Sequence, residues 1–512
     1  MVPLMRVSKL RSDYITFLSV WLASILFLIW PMIINGSPIL FYDSAAYLRF
    51  GQKIWAYLAD MAFGLGGGST APANPGQPIF WAPDDDGVLS GGRSYFYSIA
   101  AWGARAGQSY TLIVIAQAAW IGAITLMTLR RLGIASPLSQ LGVIAVLSIA
   151  TPLAFFTCTV LPDVFAAVVP LSITLLVLFG CRMSGTEKTF WAVSLLAAIL
   201  FHKAFLLVAA IMLAVTIALA AWYRLRTLAG GAVVLVVILL SGGLDIIVHK
   251  RAEIASGQHI LAPPFLIARG IGDGTITMIL DEDCARPQGE RWATCHLVDN
   301  MPMTENEFLW GQHGWRNLPL HLRKAVVAEQ LPLVVAVVTR FPAAQISRTA
   351  ENILIQFTYP NILEFIQPGI ISTISQQAPD TASNTSYLRS RVPQGTFPIR
   401  TLSHFWLSVY IATFLGSLAL LFFGRARKQR EDTYLVPLLW LLVLSLCVSA
   451  AVTGGVAGPF GRYQARIAWI ATLVFCVIVV RFYRTGGERE RPMAVDDKDS
   501  RQSLRSAPDG KQ

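Results

Sequence analysis

The sequence predicts an all-α polytopic membrane protein with about ten transmembrane helices, and three observations carry that reading. Of 512 residues, 54% are hydrophobic and only 14% charged, with a mean hydropathy of +0.55. A soluble domain is usually about 45–50% apolar and about 25% charged. Apolar runs recur at the length that crosses a bilayer, roughly 17–25 residues. The runs are continuous rather than alternating, so in lipid they read as helices and not as barrel strands.

The candidate spans are 14–34, 109–129, 138–158, 160–180, 190–202, 204–222, 228–247, 402–423, 435–452 and 467–482. No A-x-A-like site follows the first run, which reads as an uncleaved span. The net charge of +11 has a topological reading, because Lys and Arg collect in cytoplasmic loops. These residues are scattered over short loops and a polar tail, which speaks against nucleic acid as a partner. Arg6, Lys9 and Arg11, the pair Arg130 and Arg131, Arg182 and Lys188, "YRLR" at 223–226, "RARKQR" at 425–430 and "RFYR" at 481–484 share one face if both termini are cytoplasmic.

The stretch 189–222 decides the scheme. It is apolar except for His202 and Lys203, and both of its ends are basic. Two short spans turning at His202 and Lys203 keep "RARKQR" inside; one long helix would invert everything after it. The hairpin gives an N-terminal transmembrane module at 1–247, with a first outer loop at 35–108. A late periplasmic region follows at 248–401, then C-terminal transmembrane helices at 402–484 and a disordered cytoplasmic tail at 485–512. No internal repeat is visible, unlike the inverted-repeat transporters.

The outer turns hold the candidate chemistry. "FYDSAAYLRFGQKIWAYLADMAF" opens with Asp43 and continues as a juxtamembrane amphipathic helix. Asp43 reads either as that helix's N-cap or as a catalytic carboxylate at the membrane surface. "WAPDDDG" places Asp84, Asp85 and Asp86 together, as a solvated turn or as ligands for Mg²⁺ or Mn²⁺. "GGRSYFYS" brings Arg93 and Tyr95 to the second span, where the aromatics form an interface belt or the guanidinium meets a phosphate. "LPDVF" sets Asp163 at a helix start, near the hydrocarbon. His202 and Lys203 either snorkel or bind a phosphate.

"GPFGRYQARIAWI" places Arg462 and Arg466 four apart, on one helical face, with Tyr463 between them. Both arginines lie at the outer end of a span, where the positive-inside rule disfavours them, so they need an anionic partner. The acids could deprotonate an acceptor hydroxyl and the cations could stabilise a leaving phosphate.

Cys158, Cys181, Cys447 and Cys476 sit in or beside apolar runs and read as small hydrophobes. Cys284 and Cys295 lie in the polar "DEDCARPQGERWATCHL", where an oxidising compartment favours a short disulfide. There is no GxSxG, HExxH, Walker A or dinucleotide fingerprint.

The plan resembles the multi-spanning GT-C glycosyltransferases, the class of protein O-mannosyltransferases and bacterial lipid A aminoarabinose transferases. The likeness rests on the acid after the first span in "FYDSAAYL", the juxtamembrane helix, the "LPDVF" turn, the short hairpin and the late outer region. Ser44 follows Asp43, where many members carry a second acid. The resemblance implies that Asp43 serves as base or metal contact, that Asp163 is a second acid, and that the donor is a polyprenyl-phosphate-linked sugar.

The expectation is therefore a transferase of the cell envelope in a bacterial inner membrane. It moves a sugar to a glycolipid, polysaccharide or protein on the periplasmic face, and membrane lipid is its other partner. Arg93, Tyr95, His202, Lys203, Arg462, Tyr463 and Arg466 are the candidate phosphate ligands. The alternatives are a lipid-linked glycan flippase and a polysaccharide polymerase or ligase.

Overall fold

A computed structural model describes residues 2–63, 89–90, 92–105, 109–225, 227–256, 260–285, 292–367, 369–377, 381–423 and 434–483. Asp84, Asp85 and Asp86, the "RARKQR" loop and the tail from 485 lie outside the described residues. The described residues are helical almost throughout. Among the described residues the only paired strands are Leu89–Ser90 and Ile260–Leu261, which run parallel and tie the first loop to the late region.

Eight helices are long and apolar enough to cross a membrane, among the described residues and by length and composition. They are Tyr14–Asn35, Thr111–Arg131, Pro162–Arg182, Ala204–Trp222, Leu228–Arg251, Ile399–Phe422, Leu435–Val456 and Gly461–Arg481. This defines a polytopic membrane protein. Two of the ten expected spans are not among these eight. The run at 138–158 ends as a helix at Ala150 and becomes a buried turn through Thr151 and Pro152. The run at 190–202 is the last part of Gly185–Phe201, a 17-residue helix. That helix stops because His202 is extended, and Ala204–Trp222 starts after Lys203, so two helices occupy 189–222 rather than one.

The last helix begins at Gly461, six residues before the expected 467, so Arg462 and Arg466 lie in its first two turns. The juxtamembrane helix is present as Tyr42–Phe63. It starts one residue before Asp43, which is therefore a first-turn residue and not a cap.

The main core gathers the spans together with residues 362–399 of the late region, among them Ile362, Phe365, Tyr387 and Phe397. A separate small core lies at 261–337, built on Ile267, Ile279, Phe308, Trp315 and Val326. Cys284 and Cys295 are disulfide-bonded beside it, with Cα atoms 5.7 Å apart.

Two backbone features set the positions of Asp43, Asp163 and Arg93. Ile39 pairs with Thr159 in an isolated parallel bridge, with Ile39 N donating to Cys158 O and Val160 N to Ile39 O, each at 2.9 Å. This registers the segment before Asp43 against the segment before Asp163. The juxtamembrane helix crosses Tyr95–Gly103 at Gly51, where a Cβ would stand 2.2 Å from Ser98 O and 2.5 Å from Trp102 Cβ. Only glycine permits that approach, and it brings Arg93 to Asp43.

Candidate functional site

Asp43, Arg93, Asp163, Arg462 and Arg466, placed in four separate stretches of sequence, meet at one end of the bundle. Arg93 precedes Ser94, whose hydroxyl caps the helix Tyr95–Gly103 by accepting from Tyr97 N. The Arg93 guanidinium donates to Asp43 Oδ1. Arg462 reaches Asp43 Oδ2 at 3.4 Å and Asp163 Oδ2 at 3.3 Å. Arg466 donates to Asp163 Oδ1 at 2.6 Å. Among the described residues no backbone N–H donates to the Asp43 carboxylate; it serves the arginines.

Sequence reading misses one member. Glu364, in the short turn Leu363–Ile366, places Oε2 3.7 Å from Arg462 Nε and accepts from Arg462 N at 3.2 Å. Three carboxylates thus face three guanidiniums. Aromatic rings fill the gaps: Arg462 lies over Phe41 at 4.3 Å and over Tyr463 at 5.3 Å, and Arg466 over Phe205 at 4.9 Å and Tyr463 at 4.8 Å. Each such contact favours the cation.

The start of the last helix is moulded by the late region. Gln356 Nε2 donates to Phe460 O at 2.8 Å, and Phe460 N donates to Gln356 Oε1 at 2.9 Å. Asn361 N donates to Gly461 O at 3.2 Å. A Cβ at Gly461 would lie 2.0 Å from Asn361 Nδ2, so a larger residue before Arg462 would displace the Asn361 side chain.

Exposure grades across the cluster. The Arg93 and Asp43 side chains are 25% and 19% exposed, Arg462 8%, and Asp163 and Arg466 3% and 2%. Asp43 and Arg93 are its most exposed members, and Asp163 and Arg466 its most buried. Arg462 Nε, Arg466 Nε and His202 Nδ1 are buried and make no hydrogen bond among the described residues. Buried polar atoms without partners are rare in proteins and mark places where a ligand or water completes the bonding.

The other expected residues separate from this group. His202 stacks on Phe205, the ring under Arg466, and so borders the cluster. Lys203 pairs with Asp245 at 3.8 Å. Tyr95 packs with Ile54 and Ile260 and meets the ring of His249 edge-on. Among the described residues no three His, Cys, Asp or Glu side chains gather as a metal site.

Burial lifts the Glu364 carboxyl above its ordinary value of 4.5, against the opposing pull of Arg462. A carboxyl raised in the folded state holds its proton more tightly folded than unfolded. Its contribution to stability is present below the ordinary value and is lost as pH rises through the raised one. Glu364→Gln should flatten that part of the stability profile and leave the variant more stable than wild type above it. Thermal unfolding in detergent between about pH 4 and 8 checks this; parallel profiles for the two proteins would refute it.

No family model matches the chain, and no curated protein or solved structure matches it either.

Proposed function

We propose that this polytopic membrane protein is a glycosyltransferase of the GT-C type, which moves a sugar from a polyprenyl-phosphate donor to an acceptor at the outer, periplasmic face of a bacterial inner membrane. The observation that carries the reading is the cluster itself: guanidiniums whose Nε atoms make no hydrogen bond among the described residues, beside a partly exposed carboxylate, at one end of the spans. Guanidiniums suit phosphate because their donors match its oxygens two at a time.

In this mechanism the donor phosphate approaches from the exposed side, at Asp43 and Arg93, and takes the donors of Arg93 and Arg462 in place of Asp43. The freed Asp43 carboxylate accepts the proton of the acceptor hydroxyl as that oxygen attacks the sugar's anomeric carbon. The bond from that carbon to the phosphate oxygen breaks, and its electron pair leaves with the polyprenyl phosphate, stabilised by Arg93 and Arg462. Asp163, itself held by Arg466, holds Arg462 from below.

Binding of polyprenyl phosphate to the purified protein tests the reading without knowledge of the sugar. Losing one charge-assisted contact costs about 1.5–3 kcal/mol. Arg93→Gln should therefore weaken binding about 10–100-fold and leave binding of the uncharged polyprenol unchanged. Equal affinity of wild type for the phosphate and the polyprenol would defeat the proposal.

A further inference from the structure

The helix Pro342–Thr358 lies in the late region that hydropathy assigns to the aqueous side, and among the described residues it is not one of the eight spans. Its packing is that of a membrane element. It lies along the outer part of the span Leu435–Val456: a Cβ at Gly454 would meet Asn352 O at 2.8 Å and Gln356 Cβ at 3.0 Å, and Thr349 faces Gly455. Near its end, Phe357 packs its ring against Tyr410 and Phe414, with centroids 6.1 and 5.1 Å apart. Those two residues lie well inside the span that begins at Ile399. At 1.5 Å per residue they are about 16 and 22 Å along it, in a bilayer whose hydrocarbon is about 30 Å thick.

The outward side of the helix is apolar at Ile346, exposed by 70% near its start. Its middle carries the exposed ion pair Arg348–Glu351 at 2.8 Å. Its end carries no charge, and Leu354, Ile355 and the following Tyr359 are exposed by 62%, 42% and 45%. Ile411 and Leu415, neighbours of the rings that Phe357 touches, are exposed on the adjoining span. The two apolar surfaces meet at those rings.

We propose that Pro342–Thr358 is a re-entrant helix whose final turns are immersed in the site-side leaflet, with lipid acyl chains covering Leu354, Ile355 and Tyr359. The Arg348–Glu351 pair marks the water level. Continuity with the face of a span selects lipid over a second protein as the occupant. Immersion also satisfies the backbone rule of the bilayer, because the segment is helical and its end is closed by protein. Gln356 then reaches the start of the last helix from the immersed end of this helix.

The unmodified chain in nanodiscs tests this, using phospholipids that carry a photoactivatable diazirine near the middle of an acyl chain. Mass spectrometry should map carbene adducts to the segment 354–359 at yields within a few-fold of those on 411–415. Hydroxyl radicals generated in the water phase should modify Trp310, exposed by 40% at the end of the helix Glu305–Trp310 beside the small core, and spare Tyr359. Adducts on 411–415 without any on 354–359, or radical modification of Tyr359 equal to that of Trp310, would overturn the proposal.

Discussion

Asp43→Asn should lower sugar transfer about 10²–10⁴-fold, the usual cost of losing a general base, while the protein folds and still binds polyprenyl phosphate. The substitution keeps the shape of the side chain and removes its charge. Little structure depends on that charge. Asp43 and Arg93 are partly exposed, and Arg462 keeps Asp163 at 3.3 Å and Glu364 at 3.7 Å. Binding of the phosphate should hold or tighten, because a competing anion has left Arg93 and Arg462. No helix cap is lost, since the helix already starts at Tyr42. The measurement is transfer from a radiolabelled polyprenyl-phosphate sugar in membranes holding equal amounts of each protein. Activity within a few-fold of wild type would leave Asp43 as an ion-pair partner and nothing more.

Much of this cluster is legible in the sequence, for a physical reason. Arg462 and Arg466 sit at the wrong end of a span for the positive-inside rule, which announces a need for anions. Asp43 and Asp163 stand near the ends of other spans, and the fold joins all four residues. The helix boundary is harder to read. Arg462, Gln464 and Arg466 lower the local hydropathy, so an apolar run starts only at Ile467, whereas the helix starts at Gly461 because its polar residues find partners. Glu364 gives almost no signal: a lone acid in "NILEFIQP" looks like any exposed loop residue, and only the long-range contact with Arg462 gives it meaning. Lys203 is cationic and lies at a span end, as expected, but Asp245 is its partner. Hydropathy likewise cannot separate a span from a buried turn, which is why the apolar run at 138–158 continues through Thr151 and Pro152 although the helix does not.

Asp163→Asn should act mainly on stability, and the double variant Asp163→Asn with Arg466→Met should show why. Both partners are almost fully buried, at 3% and 2% side-chain exposure, and 2.6 Å apart. Asp163 is the carboxylate paired with Arg466 among the described residues, so neutralising it leaves a buried guanidinium with only the rings of Phe205 and Tyr463. Breaking one side of a buried pair costs about 3–5 kcal/mol, whereas replacing both charges by apolar or neutral groups is often close to neutral. Arg466→Met removes the stranded charge and keeps much of the volume, while Arg462 retains Asp43 and Glu364. The double variant should regain most of the lost stability, read as unfolding in detergent at matched protein concentration. It should also transfer sugar within about tenfold of wild type, a barrier change near 1.4 kcal/mol. If the double variant is stable yet loses transfer about 10²–10⁴-fold, Asp163 is the proton acceptor and the role given to Asp43 passes to it.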